Sequence, residues 1–355
     1  MLSFITWDVD PEAFSIFGRG IRWYGILWAG GVLLTSMVVQ RMYKWEKLPE
    51  KWFDSLFIYV VAALVIGARI GHCLFYDPVH YLSNPLEILK VWEGGLASHG
   101  GAIGMTIGVC LYALKITKQK MNWKHFGIFA AIGLVLGVAV QLGYSMISGT
   151  STALGMWEAG FMGLLIGICV SMVYTTRETT IKTLDRLVVG VAIGATSIRL
   201  GNLMNSEIYG GPTTLPWGFN FVRDRDWHEP LSAGGSGELP CHPTQIYEAL
   251  IYLFIFGLGM YLFYKTTARN KTGLILGISL IGIFLSRFCI EFIKNLQEPF
   301  EIDMVNTFGI NMGQLLSLPF IIWGIWLVWS ALTRKEQPIA ATTNNTNNIK
   351  KKNTK

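Results

Sequence analysis

Charged side chains are scarce in this chain. Only 15% of its 355 residues are Asp, Glu, Lys or Arg, against about a quarter in a typical soluble domain. With 52% hydrophobic residues and a mean hydropathy of +0.42, that excludes an ordinary water-soluble globule. Cysteine is also sparse and odd in number: Cys73, Cys110, Cys169, Cys241 and Cys289. Four of them lie in apolar runs and none has metal-ligand spacing, so neither a disulfide framework nor a zinc site is indicated. A basic n-region is missing as well. Residues 1–17 carry Asp8, Asp10 and Glu12, which excludes a cleavable signal peptide and leaves the first span to target the protein. The net charge of +6 would suit a nucleic-acid ligand only if it formed a patch. The basic residues instead punctuate the apolar runs, and no nucleic-acid partner is expected.

What is abundant is apolar length. Crossing the hydrocarbon core takes about 20 residues, and nine runs approach that: 17–40, 54–75, 99–117, 125–147, 157–175, 183–203, 244–266, 272–293 and 311–332. Lys and Arg alternate between rich and poor loops. Arg41, Lys44, Lys47 and Lys51 follow the first run, only Lys90 lies in the next loop, and Lys115, Lys118, Lys120 and Lys124 crowd the third. The alternation continues to Lys294, alone in the eighth loop, and the basic tail. The positive-inside rule then puts the N-terminus outside and the C-terminus in the cytoplasm. The expected fold is an all-α polytopic membrane protein of about nine transmembrane helices in a single domain over 1–336. A glycine-rich external loop or small cap covers 204–243, and the Thr/Asn/Lys-rich stretch 337–355 reads as a disordered cytoplasmic tail.

An internal repeat is visible. Gly101, Gly104, Gly108 and Cys110 recur as Gly160, Gly163, Gly167 and Cys169, each 59 residues on. Val140-Gln141-Leu142-Gly143-Tyr144 is similar to Ile198-Arg199-Leu200-Gly201-Asn202 at an offset of 58. Small-residue packing motifs recur among membrane helices by chance, but matches at both ends of a helix pair favour a tandem duplication over about 99–148 and 158–206. One copy has lost its polar groups.

Charge inside the membrane is costly, on the order of 3 kcal/mol or more at the bilayer centre, and marks function. Arg22, Arg69, Arg199 and Arg287 fall within the runs. The loop-charge orientation puts all four in outer halves, together with Tyr24, His99, His242 and Glu248. Arginine offers a planar fork suited to phosphate, so the cluster points to an anionic phospholipid. Arg199, Asn202 and Ser206 share a helix face, Glu207 follows at the mouth, and Arg287 with Glu291 is spaced as an i, i+4 pair. His99 between glycines reads as a candidate base or donor.

These segments resemble the prolipoprotein diacylglyceryl transferases. The resemblance rests on Arg199-Leu200-Gly201-Asn202-Leu203-Met204-Asn205-Ser206-Glu207, Arg22-Trp23-Tyr24-Gly25, Ala68-Arg69-Ile70-Gly71, Ser98-His99-Gly100-Gly101, His242-Pro243-Thr244-Gln245-Ile246-Tyr247-Glu248, Ser286-Arg287-Phe288 with Glu291-Phe292, and Asn311-Met312-Gly313-Gln314. They occur in family order along nearly the whole chain. The resemblance implies transfer of the diacylglyceryl group of phosphatidylglycerol to the lipobox cysteine of prolipoproteins, in the bacterial inner membrane with the site toward the periplasm, and no metal or organic cofactor. It implies that Arg199 and Arg287 hold the phosphate and that His99 or Tyr24 assists thiol deprotonation. Asn202, Asn205, Glu207, Arg69, Gly100, Glu291, His242, Gln245 and Tyr247 would line the substrate site. Two features depart from the family: Ile198 replaces a usual glycine, and the duplicated pair adds two spans to a seven-span core. The competing reading is a non-enzymatic phospholipid carrier, which would be expected to carry charge or broken helices in the inner halves too.

Overall fold

The computed structural model describes residues 4–16, 18–75, 78–91, 95, 97–148, 153–230, 235–295, 304–306 and 309–334. The 337–355 stretch lies outside them. The apolar runs form long helices: α1 (Trp23–Trp45), α2 (Glu50–Phe75), then a short α3 (Pro78–Ser83), α4 (Ser98–Thr117), α5 (Trp123–Ser148), α6 (Ala153–Thr175) and α7 (Arg177–Met204). After the one-turn α8 (Arg225–His228) come α9 (Thr244–Lys265), α10 (Leu274–Ile290) and α11 (Met312–Thr333). Eight are long and apolar enough to cross a bilayer, and α10, with 17 residues, is a shorter apolar helix within the expected range. The chain is an all-α polytopic membrane protein.

The helices pair α1 with α7, α2 with α4, α5 with α6, α7 with α9 and α10 with α11. Close approach of backbones sets two of these pairs. A Cβ on Gly104 would strike the Ala63 carbonyl of α2, and one on Gly108 would lie 2.6 Å from the Tyr59 carbonyl. The residues 59 positions on, Gly163 and Gly167, meet the Gly133 and Phe129 carbonyls of α5 in the same manner. Helix α6 thus packs on α5 through the face by which α4 packs on α2. Helix α5 has α6 as its principal neighbour and lines the edge of the bundle with exposed Ile132, Val135, Leu136 and Val140.

Helix α10 begins deep in protein and needs a partner for its free amides. Asp185 of α7 supplies it, accepting from the Gly273 N–H at 2.7 Å and the Leu276 N–H at 2.8 Å. Asp185→Ala removes this cap and leaves two buried donors unpaired, so a loss of about 2–4 kcal/mol is expected. Thermal unfolding in detergent checks it; Asp185→Asn, which keeps an acceptor, should lose less.

Three differences from the sequence reading concern the ends of the spans. First, 18–22 does not belong to a span. Strand β2 (Glu12–Ile16), after a short β1 (Ile5–Thr6), turns back antiparallel into β3 (Arg19–Arg22). The turn holds Gly18 at φ +76°, where a side chain would be strained, so the helix starts only at Trp23. Arg22 is therefore an exposed strand end rather than an intramembrane charge. Second, the cap over 204–243 uses the N-terminus: β1 pairs with β4 (Phe219–Asn220). The Trp7 indole donates to the Leu203 carbonyl at 2.9 Å, and Arg223 pairs with Asp8 and Asp10 at 2.6 and 3.1 Å. Third, Cys289, within the expected span 272–293, is exposed, and the other four cysteines are buried; all five are free.

Candidate active site

Arg199, Asn202, Glu248 and Arg287 gather at one end of the bundle, the end that carries the cap. Arg199 stands near the end of α7, with Asn202 one turn further. Its Nε lies 2.9 Å from Glu248 Oε2 of α9, and its Nη1 donates to Asn202 Oδ1 at 3.2 Å. The α7 helix stops where Ser206 and Ile208 take left-handed backbone, φ 54° and 62°. That bend folds Glu207 back over the helix end. Asn202 and Asn205 both donate to Glu207 Oε1, at 2.8 and 3.2 Å. Gln245 donates to the Glu207 carbonyl at 2.7 Å, and Thr244 to the Ile208 carbonyl at 2.9 Å. The start of α9 thus fixes the end of α7. Tyr24 of α1 lies across Gly201, where a Cβ would sit 2.9 Å from the Tyr24 ring, and near both Glu207 and Arg199.

The second half of the site comes from α10 and α11. Arg287 faces Glu291 at 3.5 Å. Lys294 lies 3.5 Å from Glu291 and 3.9 Å from Glu248. Asn311 caps α11 in a reciprocal box with Gln314 and donates to Glu291 Oε2 at 3.2 Å. The result is a chain of alternating charge: Arg287, Glu291, Lys294, Glu248, Arg199. Glu248 is almost wholly buried, yet neither of its oxygens accepts an aligned hydrogen bond; it is held by ion-pair contact. Arg287 is the most open member of the chain, with its side chain 38% exposed.

Arg69, expected at the substrate, turns its guanidinium to the loop before α4: it donates to the Glu87, Ile88 and Gly95 carbonyls at 2.6, 3.0 and 3.3 Å and stacks on Tyr81. Gly100, also expected at the substrate, lets α4 close on α2, since a Cβ there would strike the Gly67 carbonyl. His99 opens α4 as expected, and its side chain lies outside the described residues. His242 and Tyr247 meet at 3.4 Å under the cap, where Trp217 donates to the Tyr247 hydroxyl at 2.8 Å; burial pushes the His242 imidazole down from its ordinary range. Glu248 was expected in the outer-half cluster without a role of its own, and Lys294 was not singled out from the sequence. The available signal for Lys294 was its isolation in an otherwise Lys-poor loop. Among the described residues no three His, Cys, Asp or Glu side chains come together to hold a metal ion.

An arginine pair stitched to glutamates at one end of a membrane bundle is chemically suited to a phosphate, and comparison with known proteins gives the family of the chain. The family model described as prolipoprotein diacylglyceryl transferase matches residues 11–143 and 138–330. The chain belongs to the prolipoprotein diacylglyceryl transferase family. It is 43% identical over 332 residues to a phosphatidylglycerol–prolipoprotein diacylglyceryl transferase of Porphyromonas gingivalis, covering 93% of this chain and 95% of the relative. Relatives of that same name in Chloroherpeton thalassium and Bacteroides fragilis are each 33% identical; the first alignment covers 94% of this chain and 97% of the relative, the second 93% and 96%. The match to this transferase family runs in two stretches that meet inside α5.

Proposed function

We propose that this transferase moves the diacylglyceryl group of phosphatidylglycerol onto the thiol of a prolipoprotein's lipobox cysteine. The single observation that carries the site assignment is the arginine–glutamate chain across α7, α9 and α10 in a member of this family. The thiolate is the nucleophile. Its sulfur attacks the glyceryl carbon that bears the phosphate ester, an S–C bond forms and the C–O bond breaks. Glycerol phosphate leaves with the bonding electrons, and the thiol proton passes to a protein base. Arg199 and Arg287 bind the phosphodiester and stabilise the charge that grows on the leaving oxygen. His99 and Tyr24 are the candidates for removing the thiol proton. Asn202, Asn205 and Glu207 shape the headgroup pocket, with Gln245 holding Glu207 in place.

The loop charges favour a chain with its N-terminus outside, its tail in the cytoplasm and its site at the outer leaflet of the bacterial inner membrane. Residues 1–336 act as one catalytic domain under the 204–243 cap. The matching glycine faces of α4 and α6 and the seam of the family match inside α5 favour a duplicated helix pair added to the family core. The test is purified protein with labelled phosphatidylglycerol and a lipobox peptide. Thioether-linked lipid on the peptide is expected. Lipid movement between vesicles without peptide modification would overturn the reading in favour of a carrier.

A further inference from the structure

A cavity of about 310 Å³ runs between α1, α2 and α7. At the cap end it is lined by Trp28, Leu64 and Ile198, and at the opposite end by Val39, Phe53 and Leu187. Its two ends are eleven positions apart on each helix, a rise of about 16 Å. That is about half of a roughly 30 Å hydrocarbon core, the depth of one leaflet's acyl chains. The walls are almost wholly apolar, and Thr35 in the α1 wall turns its hydroxyl to the Gly190 carbonyl at 2.7 Å. Space of this kind takes hydrocarbon rather than water.

The three boundaries of the cavity differ. The cap end adjoins the site: Ile198 precedes Arg199, and Trp28 lies one turn after Tyr24, whose ring lies across Gly201. The opposite end is shut. The Phe53 and Tyr43 rings meet edge-on with centroids 6.0 Å apart, the Tyr43 hydroxyl bonds to that of Tyr112 at 3.0 Å, and Arg186 lies over Tyr43 while pairing with Glu46 at 2.5 Å. Hydrocarbon passing this floor would have to break into a largely buried ion pair, which is costly. The side is open. Helix α1 packs chiefly on α7 and α2 chiefly on α4, and Trp28 and Phe57 beside the α1–α2 seam are 43% and 40% exposed. The volume selects the occupant: a helical segment of the same length, about 10 Å across, would need roughly 1,200 Å³.

Resting on the phosphatidylglycerol reading above, we propose that this slot seats an acyl chain of the lipid whose phosphodiester Arg199 binds, and that its Phe53 floor sets the chain length the enzyme transfers best. The chain enters sideways through the α1–α2 seam. Its ester end stays beside Tyr24 and Arg199, and its methyl end meets Val39, Phe53 and Leu187. A chain too long for the slot has to fold back or hold the reacting carbon away from Arg199.

The experiment uses the purified full chain in micelles of one neutral detergent, with a lipobox peptide and phosphatidylglycerols carrying dilauroyl, dipalmitoyl or diarachidoyl chains. For the wild type, kcat/KM should fall from dipalmitoyl to diarachidoyl lipid. Val191 lines the slot two turns from Ile198, so Val191→Phe shortens it. The ratio of kcat/KM for dipalmitoyl over dilauroyl lipid should drop by about tenfold. Ser36→Phe, from the α1 wall, should do the same and decides the matter where Val191→Phe fails to accumulate. Val135→Phe, on the exposed face of α5, should leave the ratio unchanged. In the wild type, phosphatidylglycerol with a diazirine at the methyl end of a chain should label Val39, Phe53 or Leu187. Unchanged ratios in both slot variants, or label confined to the lipid-facing surfaces of α5 and α11, would overturn the proposal. Floor labelling without any transfer in the wild type would instead overturn the functional reading on which it rests.

Discussion

Arg199→Gln is expected to abolish diacylglyceryl transfer, with kcat/KM down by about a thousandfold or more, and Arg199→Lys by about a hundredfold. The lysine keeps the charge but not the fork that meets Glu248 through Nε and Asn202 through Nη1. Losing the arginine has a second effect: it strips Glu248 of its nearest cation and leaves this buried carboxylate only the longer contact to Lys294 at 3.9 Å, which destabilises the fold. The two effects separate in the Arg199→Gln/Glu248→Gln variant. Its membrane level and melting temperature should approach those of the wild type while transfer stays lost. Near-normal turnover of either glutamine variant would remove Arg199 from the phosphate clamp. The repeat offers a natural parallel, since Gln141 stands in α5 where the offset of 58 places Arg199 in α7.

The second large effect is expected from deleting 102–160, which removes one 59-residue period and joins Gly101 to Phe161. The packing shows why the product can fold. Gly163 moves to the place of Gly104 and Gly167 to that of Gly108, and both pairs present the same bare face to a neighbouring helix. The hybrid helix can therefore dock on α2 as α4 does. Its far end leads into α7 without a long detour, because Thr180 near the start of α7 already touches Cys110 of α4. The α7–α9–α10 charge chain is untouched. The deleted α5 contributes little beyond its contact with α6. A chain with seven spans, its tail on the original side and a lower melting temperature, should still complement a transferase-depleted strain. A variant present at normal level with correct topology and no activity would mean that the added helices have become part of the site or its gate.

Much of this was legible in the sequence, and what was not has a physical reason. The long helices follow from apolar length and loop charge, because the membrane admits little else. The N-terminal strands escaped because they are fragments of two to five residues, too short for a period-two pattern to rise above the run beside them. Arg199, Arg287, Glu207 and Asn202 are legible because polar side chains in or beside apolar helices stand out. The ties of Glu248 and Lys294 were hidden because they run between elements 46 residues apart in sequence, and ion pairs of that kind leave no spacing to read. The carbonyl contacts of Arg69 were hidden in the same way, since Glu87, Ile88 and Gly95 lie 18 to 26 residues away with no pattern that marks them as acceptors.

The shortness of α10 shapes the lipid around the site as well as the protein. Its 17 residues rise about 26 Å, a few ångströms less than the roughly 30 Å of an average hydrocarbon core. Lipids against this flank would have to shorten to match it near Arg287 in the last turn, so turnover is expected to rise in bilayers of shorter acyl chains, where that match already exists.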